Sequence, residues 1–531
     1  MVPNRLNSCN LLNIAQPFTF THSLQIYYST LTGIATIMRK LMTCLLFVLT
    51  FSAVQAQTRS VFNVEDYGAK GDGVNLDSKA IDAAIDAAAN AGGGQVYVPA
   101  GNYLSGSIHL KSHIALYLEQ GATIIATAGG SNGEYDQEEP TVNTNYQDSG
   151  HSHFHNSLIW GDGLVDISII GPGEIWGKGL LKDYKKGSKL GNKAITLYKC
   201  RNVLIRDISI LHGGWFGILA TGTDNLTIDN VKEDTNRDGM DIDCCKNVRV
   251  SNCYVNSPYD DGICLKSTFA LGFARNTENV TITNCQVSGY DEGTLLDGTY
   301  QRTENKQYGF HPTGRIKLGT ESDGGFKNIA ISNCVFDYCR GLALETVDGA
   351  QLEDVVINNI TMRDVVNDPI FLRLGNRMRG LAGTPVGELH RIMISNVSVY
   401  NADPDYTCTI SGIPGHDIGD VQLNNIRIYY KGSINNALPN AIPENANKYP
   451  EPGMFGKAPA YGFFIRHAKN IKMTAIDLHL INPDDRVAFW AEDVKGLIMR
   501  QVKADKSNAA NLSVLNQVTG LQATESLDIK N

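Results

Sequence analysis

A short phrase recurs from about residue 200 onward: a polar residue, usually asparagine, then alternating apolar residues, then a second polar residue. It reads RNVLIRDISI, DNLTIDNVKE, KNVRVSNCYV, ENVTITNCQV, FKNIAISNCVF and EDVVINNITM. Asn202, Asn225 and Asn247 stand 23 and 22 residues apart, and Asn279 and Asn328 follow at wider spacing, as inserted loops require. Alternation of period two specifies strands, and the polar residues punctuate them. A period in the low twenties, with several short strands in each repeat, suits one coil of a parallel β-helix. One coil cannot bury its own inner face, so coils must stack to make a core. Weaker copies at GDVQLNNIRI, KNIKMTAIDL and VKGLIMRQVK carry the pattern towards residue 525. The expected fold is all-β, one continuous solenoid.

The beginning differs. In NLDSKAIDAAIDAAANAGGG, Asp77 is the expected N-cap of an alanine-rich amphipathic helix and Gly92 its stop. Such a helix would cover the open end of the solenoid, whose strand edges otherwise invite aggregation. Residues 38–56, MRKLMTCLLFVLTFSAVQA, read as a secretory signal peptide: Arg39 and Lys40, then an apolar stretch, then the small residues Val54 and Ala56 before Gln57. The stretch is short for a membrane span. Residues 1–37 lie upstream and are expected to be a mis-assigned extension, with Met38 as the start. The expected mature chain, 57–531, is a single, monomeric β-helix domain that is periplasmic or secreted. Two insertions, Gly129 to Ser157 and Ser288 to Thr313, break the repeat and are expected to form cleft walls.

The net charge of −9 carries no basic stripe, which argues against a nucleic-acid partner. Nine of the 11 cysteines fall in the mature chain, an odd number for a disulfide framework. Cys253, Cys285 and Cys334 recur at one place in three repeats, as SNC, TNC and SNC. They are expected to stack inside as small apolar residues. Zinc would need paired spacings that are missing here.

The chemistry concentrates between Asn236 and Ser267, in NRDGMDIDCCKNVRVSNCYVNSPYDDGICLKS. Asp238 and Asp260 are 22 residues apart, about one coil. Strands of successive coils stack about 4.8 Å apart, so Asp238, Asp260 and Asp261 become neighbours. Crowded carboxylates repel, and one proton is held more tightly. That arrangement keeps a general acid beside a general base, as glycoside hydrolysis requires. Asp243 is expected to satisfy backbone groups in a turn, and Asp241 to support the site. Ca²⁺ is another use for such oxygen ligands. Trp215, one coil before Asp238, is a candidate to stack on sugar.

At these residues the chain resembles glycoside hydrolase family 28, the polygalacturonases and rhamnogalacturonases, over roughly residues 60–500. Asn236, Arg237 and Asp238 match the family's N-T-D with arginine in place of threonine. Tyr259, Asp260 and Asp261 match its G/Q-D-D, and Lys266 its following lysine. The resemblance implies a right-handed, pectin-lyase-like β-helix and an inverting hydrolase of galacturonate-containing pectic glycans that needs no metal or other cofactor. Asp260 would be the general acid, with Asp238 and Asp261 activating water.

The chain also departs from that pattern. Before the strand GRIKLGTESDGG the family histidine is missing; His311 is the nearby candidate to replace it. In GLALETVDG, Ala343 and Glu345 stand where the family's uronate-gripping arginine and lysine belong, and Glu345 would repel a uronate. Arg315, Lys317 and Arg373 are the candidate replacements, with Arg377 and Arg379 close by. A branched or rhamnogalacturonan-type substrate, and attack on chain ends or oligosaccharides, are the corresponding expectations. Two other functions remain open on sequence: a Ca²⁺-dependent pectic lyase and a non-catalytic glycan-binding solenoid.

Overall fold

The computed structural model describes residues 38–42, 61–128, 134–140, 149–180, 192–303, 312–434 and 441–526. The chain divides into two units, Met1–Arg59 and Ser60–Asn531. Of the first, residues 38–42 are helical, and the rest of the expected signal peptide lies outside the described residues. Among the described residues no helix is long and apolar enough to cross a membrane.

The second unit is a right-handed parallel β-helix. A coil consists of three short strands, as in Phe216–Thr221, Asp224–Asp229 and Lys232–Asp234, and each pairs in parallel with its counterpart one coil on. Later coils fuse the second and third strands into one, as in Phe326–Asp337. Isoleucine, valine and leucine at alternate positions line the interior; Ile242, Leu265, Leu318 and Leu344 form one such column.

The recurrent asparagines have a common cause. Asn202, Asn225, Asn247, Asn279 and Asn328 all hold the left-handed conformation, with φ between 52° and 59°. Asparagine tolerates that region better than other non-glycine residues. From Asn225 onward each side-chain amide donates to the asparagine of the coil before, at 2.9, 3.2, 3.0 and 2.8 Å along the series, and Asn202 donates to Asp166 at 2.7 Å. The ladder fixes this corner across these five coils and satisfies amides that would otherwise compete for backbone groups. Cys253, Cys285 and Cys334 are buried and free, and Ile360 continues their column.

Helix α1, Ser78–Asn90, buries Ile81, Ala84, Ile85 and Ala88 against the first coils. Its start differs from expectation. Asp77 precedes the helix but makes no cap bond; its carboxylate accepts from the Lys70 and Gly71 amides at 2.7 and 3.1 Å. The loop at 70–71 supplies stronger competition than the helix end. Gly92 follows the helix with φ +88°, where a side chain would be strained.

One face of the solenoid carries both acidic groups. Its strands are β1 (Phe216–Thr221), β2 (Asp238–Asp243), β3 (Ile263–Ser267), β4 (Ile316–Ser322), β5 (Leu342–Thr346), β6 (Ile370–Leu374), β7 (Cys408–Ser411) and β8 (Ala460–Leu480). Interior alternation sends Asp241, Cys264, Lys317, Ala343, Phe371, Thr409 and Phe464 outward in a single row. These residues are nonetheless buried, because loops cover the face.

Candidate active site

Coil stacking brings the two acidic groups together, as their spacing requires. Strand β2 pairs with β3 so that Asp241 faces Cys264 and Asp243 faces Lys266. The amide of Gly239 donates to Asp261 O at 3.0 Å. A Cβ at Gly239 would meet Gly262 O at 2.5 Å, so the glycine after Asp238 is what lets the strands close here. One oxygen each of Asp238, Asp260 and Asp261 lie within 4.8 Å of one another.

The three carboxylates differ in access and in charge. The side chains of Asp238 and Asp261 are 2% and 3% exposed, while Asp260 is 30% exposed and reaches the cleft. Burial, with the nearby Asp260 and Asp241, holds the Asp238 carboxyl well above the ordinary range. Burial would push Asp261 the same way. There the Lys317 and Arg315 cations, 3.1 and 2.8 Å away, outweigh it and hold Asp261 below the ordinary range. A proton-holding carboxyl therefore stands beside an anionic one.

Arg237 bridges the group. Its Nη2 lies 2.9 Å from Asp260 and 3.5 Å from Asp238, and its guanidinium stacks 4.0 Å over the ring of Trp215. Sequence comparison marks Arg237 only as a substitution in a motif; its contacts make it the residue that orients Asp260. Trp215 is fully buried beneath Arg237 and residue 150, so it is a platform for Arg237 and not for sugar.

A second ionic layer lies behind. Asp241 is fully buried, 3.2 Å from Lys266 and 3.4 Å from His151. Lys266 also approaches Glu321 at 3.6 Å and Asp238 at 3.9 Å. Lys266, matched to a family lysine, and Asp241, expected to support the site, are internal to this network and do not line the cleft. Asn236 is half-buried, its carbonyl accepting from the Tyr259 amide. Asp243 accepts from the amide and hydroxyl of Thr268 at 2.8 and 2.6 Å, a local tie as expected of it. His151 comes from the first insertion, whose sequence offers no periodic signal. His311 lies outside the described residues.

The cations of the sequence reading are spoken for. Arg373 is 1% exposed; it donates to Ser411 Oγ at 2.7 Å, to Gly412 O at 2.8 Å and to Glu444 O at 2.9 Å. It ties down a loop and does not face the cleft. Arg377 is bound to Asp348, and Arg379 approaches Glu321 at 3.4 Å. Arg315 and Lys317 do line the cleft, but both pair with Asp261. Glu345 is fully buried and accepts from Thr320 Oγ1 at 2.9 Å, so it is not positioned to repel a substrate.

The cleft, about 300 Å³, is bounded by Tyr259, Asp260, Arg315, Lys317, Arg340, Tyr449 and Glu451. Tyr449 and Glu451 come from the loop that returns to β8. Ile442 and Phe455 of this loop pack on Ala343, Phe371 and Phe464. Ala343 thus has a reason: a long cation there would hold the loop off. The described part of this loop covers the face at these coils.

The charge pattern sets a pH dependence of stability. Burial pushes Asp241, and likewise Glu345, up to about 7 from ordinary values of 3.8 and 4.5. The folded state then binds these protons more tightly than the unfolded chain. Their contribution is therefore greatest at low pH and declines as pH rises from about 4 to about 7. Asp261 and Glu321, lowered by their cations, act oppositely, and only below about pH 4. Urea midpoints should fall between pH 4 and 7, and Asp241→Asn should flatten that slope. Midpoints that rise across this window would contradict the assignment.

Known proteins agree with this outline. Residues 61–169 match a family described as rhamnogalacturonase A/epimerase, pectate lyase-like, and residues 186–307 match a right-handed β-helix region. A probable polygalacturonase of Vitis vinifera is 27% identical over 418 residues, covering 70% of this chain and 81% of that one. An exo-poly-α-D-galacturonosidase of Dickeya chrysanthemi is 24% identical over 371 residues, 59% of this chain and 57% of its own length. The family 28 exopolygalacturonase structure of Yersinia enterocolitica superposes with a TM-score of 0.62 at 18% identity, covering 89% of this chain and 79% of that one.

Proposed function

We propose that this polygalacturonase-like chain is an inverting glycoside hydrolase that acts on chain ends of galacturonate-containing pectic glycans outside the cytoplasm. The assignment as a glycoside hydrolase rests on its polygalacturonase relatives. The observation that carries the mechanism is the triad of Asp238, Asp260 and Asp261 at the cleft, with unequal access and with Asp238 and Asp261 shifted in opposite directions. Asp260 is the member able to present the cluster's proton to the leaving oxygen. Asp261, held low by Lys317 and Arg315, is the base for water, and Asp238, raised by burial and by its neighbouring carboxylates, is the proton store behind Asp260.

Inversion follows from access and not from spacing. Inverting pairs usually stand about 6.5–9.5 Å apart, and retaining pairs about 5–5.5 Å. Nearest oxygens within 4.8 Å would by that rule point to retention. A covalent intermediate, however, needs a carboxylate that reaches the anomeric carbon. Asp238 is too deeply buried for that, and Asp261, at the cleft's edge, is held back by two cations. A water molecule can occupy the gap they cannot cross. NMR during early turnover should show the inverted anomer before mutarotation. A retained anomer would refute the single displacement.

Attack on chain ends is supported by the loop packed over Ala343 and Phe371, which covers the face next to the cleft. Ca²⁺-assisted elimination is disfavoured by charge. Each of the three carboxylates already has a cation within 4 Å: Arg237 for Asp238 and Asp260, Arg315 and Lys317 for Asp261. The deciding experiment is product analysis on a panel of pectic oligosaccharides. Hydrolysis gives new reducing ends; unsaturated, ultraviolet-absorbing products would replace this reading with a lyase.

A further inference from the structure

The loop that closes the cleft also changes its charge. Docking of Ile442 and Phe455 on the outer row carries Glu451 over the cleft floor. Glu451 Oε1 lies 2.5 Å from Arg315 Nη2 and 2.9 Å from Arg340 Nη1, and Oε2 accepts from Asn367 Nδ2 at 3.3 Å. Among the described residues, Arg315, Arg340 and Lys317 are the cations lining the cleft, and Asp260, Asp261 and Glu451 the carboxylates. The second contact of Arg315 is with Asp261 at 2.8 Å, and Lys317 reaches Asp261 at 3.1 Å and Tyr449 Oη at 3.2 Å.

We propose that Glu451 occupies the place of a substrate carboxylate, and that the cleft therefore selects an uncharged sugar over Arg315 and Arg340. This rests on reading the cleft as the hydrolase site. A uronate entering there would set a fourth carboxylate against three cations already paired, and like charges at contact distance repel. It could bind only by displacing Glu451, whose loop is anchored by apolar packing. The hydroxyls of a neutral sugar suit the site better: they donate to Glu451 and Asp260 and accept from Arg340. The rest of the sequence is consistent with this. Ala343 and Glu345 stand where uronate-gripping cations were expected, and Ala343 is what seats the loop that brings Glu451. A galacturonate elsewhere on the glycan is unaffected.

The test compares binding of methyl galactoside and methyl galacturonoside, which differ only in the carboxylate, by calorimetry. The wild-type protein should favour the neutral sugar at least tenfold. Glu451→Gln, which keeps the shape and the loop, and Glu451→Ala should both tighten the acid at least tenfold and so shrink the ratio, with the gain fading in high salt. A wild-type preference for the acid, or a ratio unchanged in both variants, overturns the proposal. Binding needs no turnover, so its failure is distinct from failure of the hydrolase reading, which would show as no cleavage of any pectic glycan.

Discussion

Asp260→Asn should lower kcat on a natural pectic glycan by at least about 10²-fold, and by as much as about 10⁴-fold, the range of general acid catalysis. The reason is access. Asp260 alone among the three carboxylates is substantially exposed to the cleft. The amide has the same shape but a single oxygen, so it can keep one of the two bonds that Asp260 accepts, from Arg237 Nη2 on Oδ2 at 2.9 Å or from the Asp261 amide on Oδ1 at 3.0 Å. It cannot donate a labile proton to a leaving oxygen. Folding should be retained, which circular dichroism and a urea midpoint can check. A substrate whose leaving group needs no protonation should lose far less. Near-normal turnover of the natural glycan would sink the assignment, and an equal loss on the activated substrate would move Asp260 from proton donor to a positioning role.

Much of this was legible in the sequence because a β-helix converts period into proximity. Asn202, Asn225 and Asn247 give the coil length, and that length alone predicts that Asp238 meets Asp260. The same arithmetic cannot see what lies over the coils. Trp215 looks like a sugar platform until Arg237 and residue 150 are placed on it. Arg373 looks like a uronate grip until it is found holding Glu444 O. Glu451 is 136 residues from Arg315 in sequence, on a loop with no repeat of its own, and no spacing rule links them. What could have been noticed is the chemistry of the substitution: a lost cation at 343 next to a row of apolar residues at 371 and 464 invites a covering loop.

Arg315→Ala is the variant for which sequence and structure give different expectations. From sequence, Arg315 grips a substrate carboxylate, so its loss should be felt on a uronate and spared on the carboxyl-reduced glycan. In the structure Arg315 is 2% exposed and lies between Asp261 and Glu451. Its removal leaves two buried or half-buried carboxylates short of a cation. Breaking such a pair typically costs about 3–5 kcal/mol, and Lys317, which remains on Asp261, should hold the loss near the lower figure. Activity should fall on charged and neutral substrates alike, because the base itself is altered. Without Arg315 the Asp261 pKa rises, so the acid limb of the kcat/KM profile should move to higher pH. The stability gap has a sign as well. A lowered carboxylate contributes stability that is present above its unfolded pKa, near 3.8, and is lost as pH falls. The gap between wild type and variant should therefore be full above about pH 4 and close below it. If the loss is confined to the uronate substrate and the acid limb stays in place, Arg315 binds substrate after all, and Asp261 must owe its charge to Lys317.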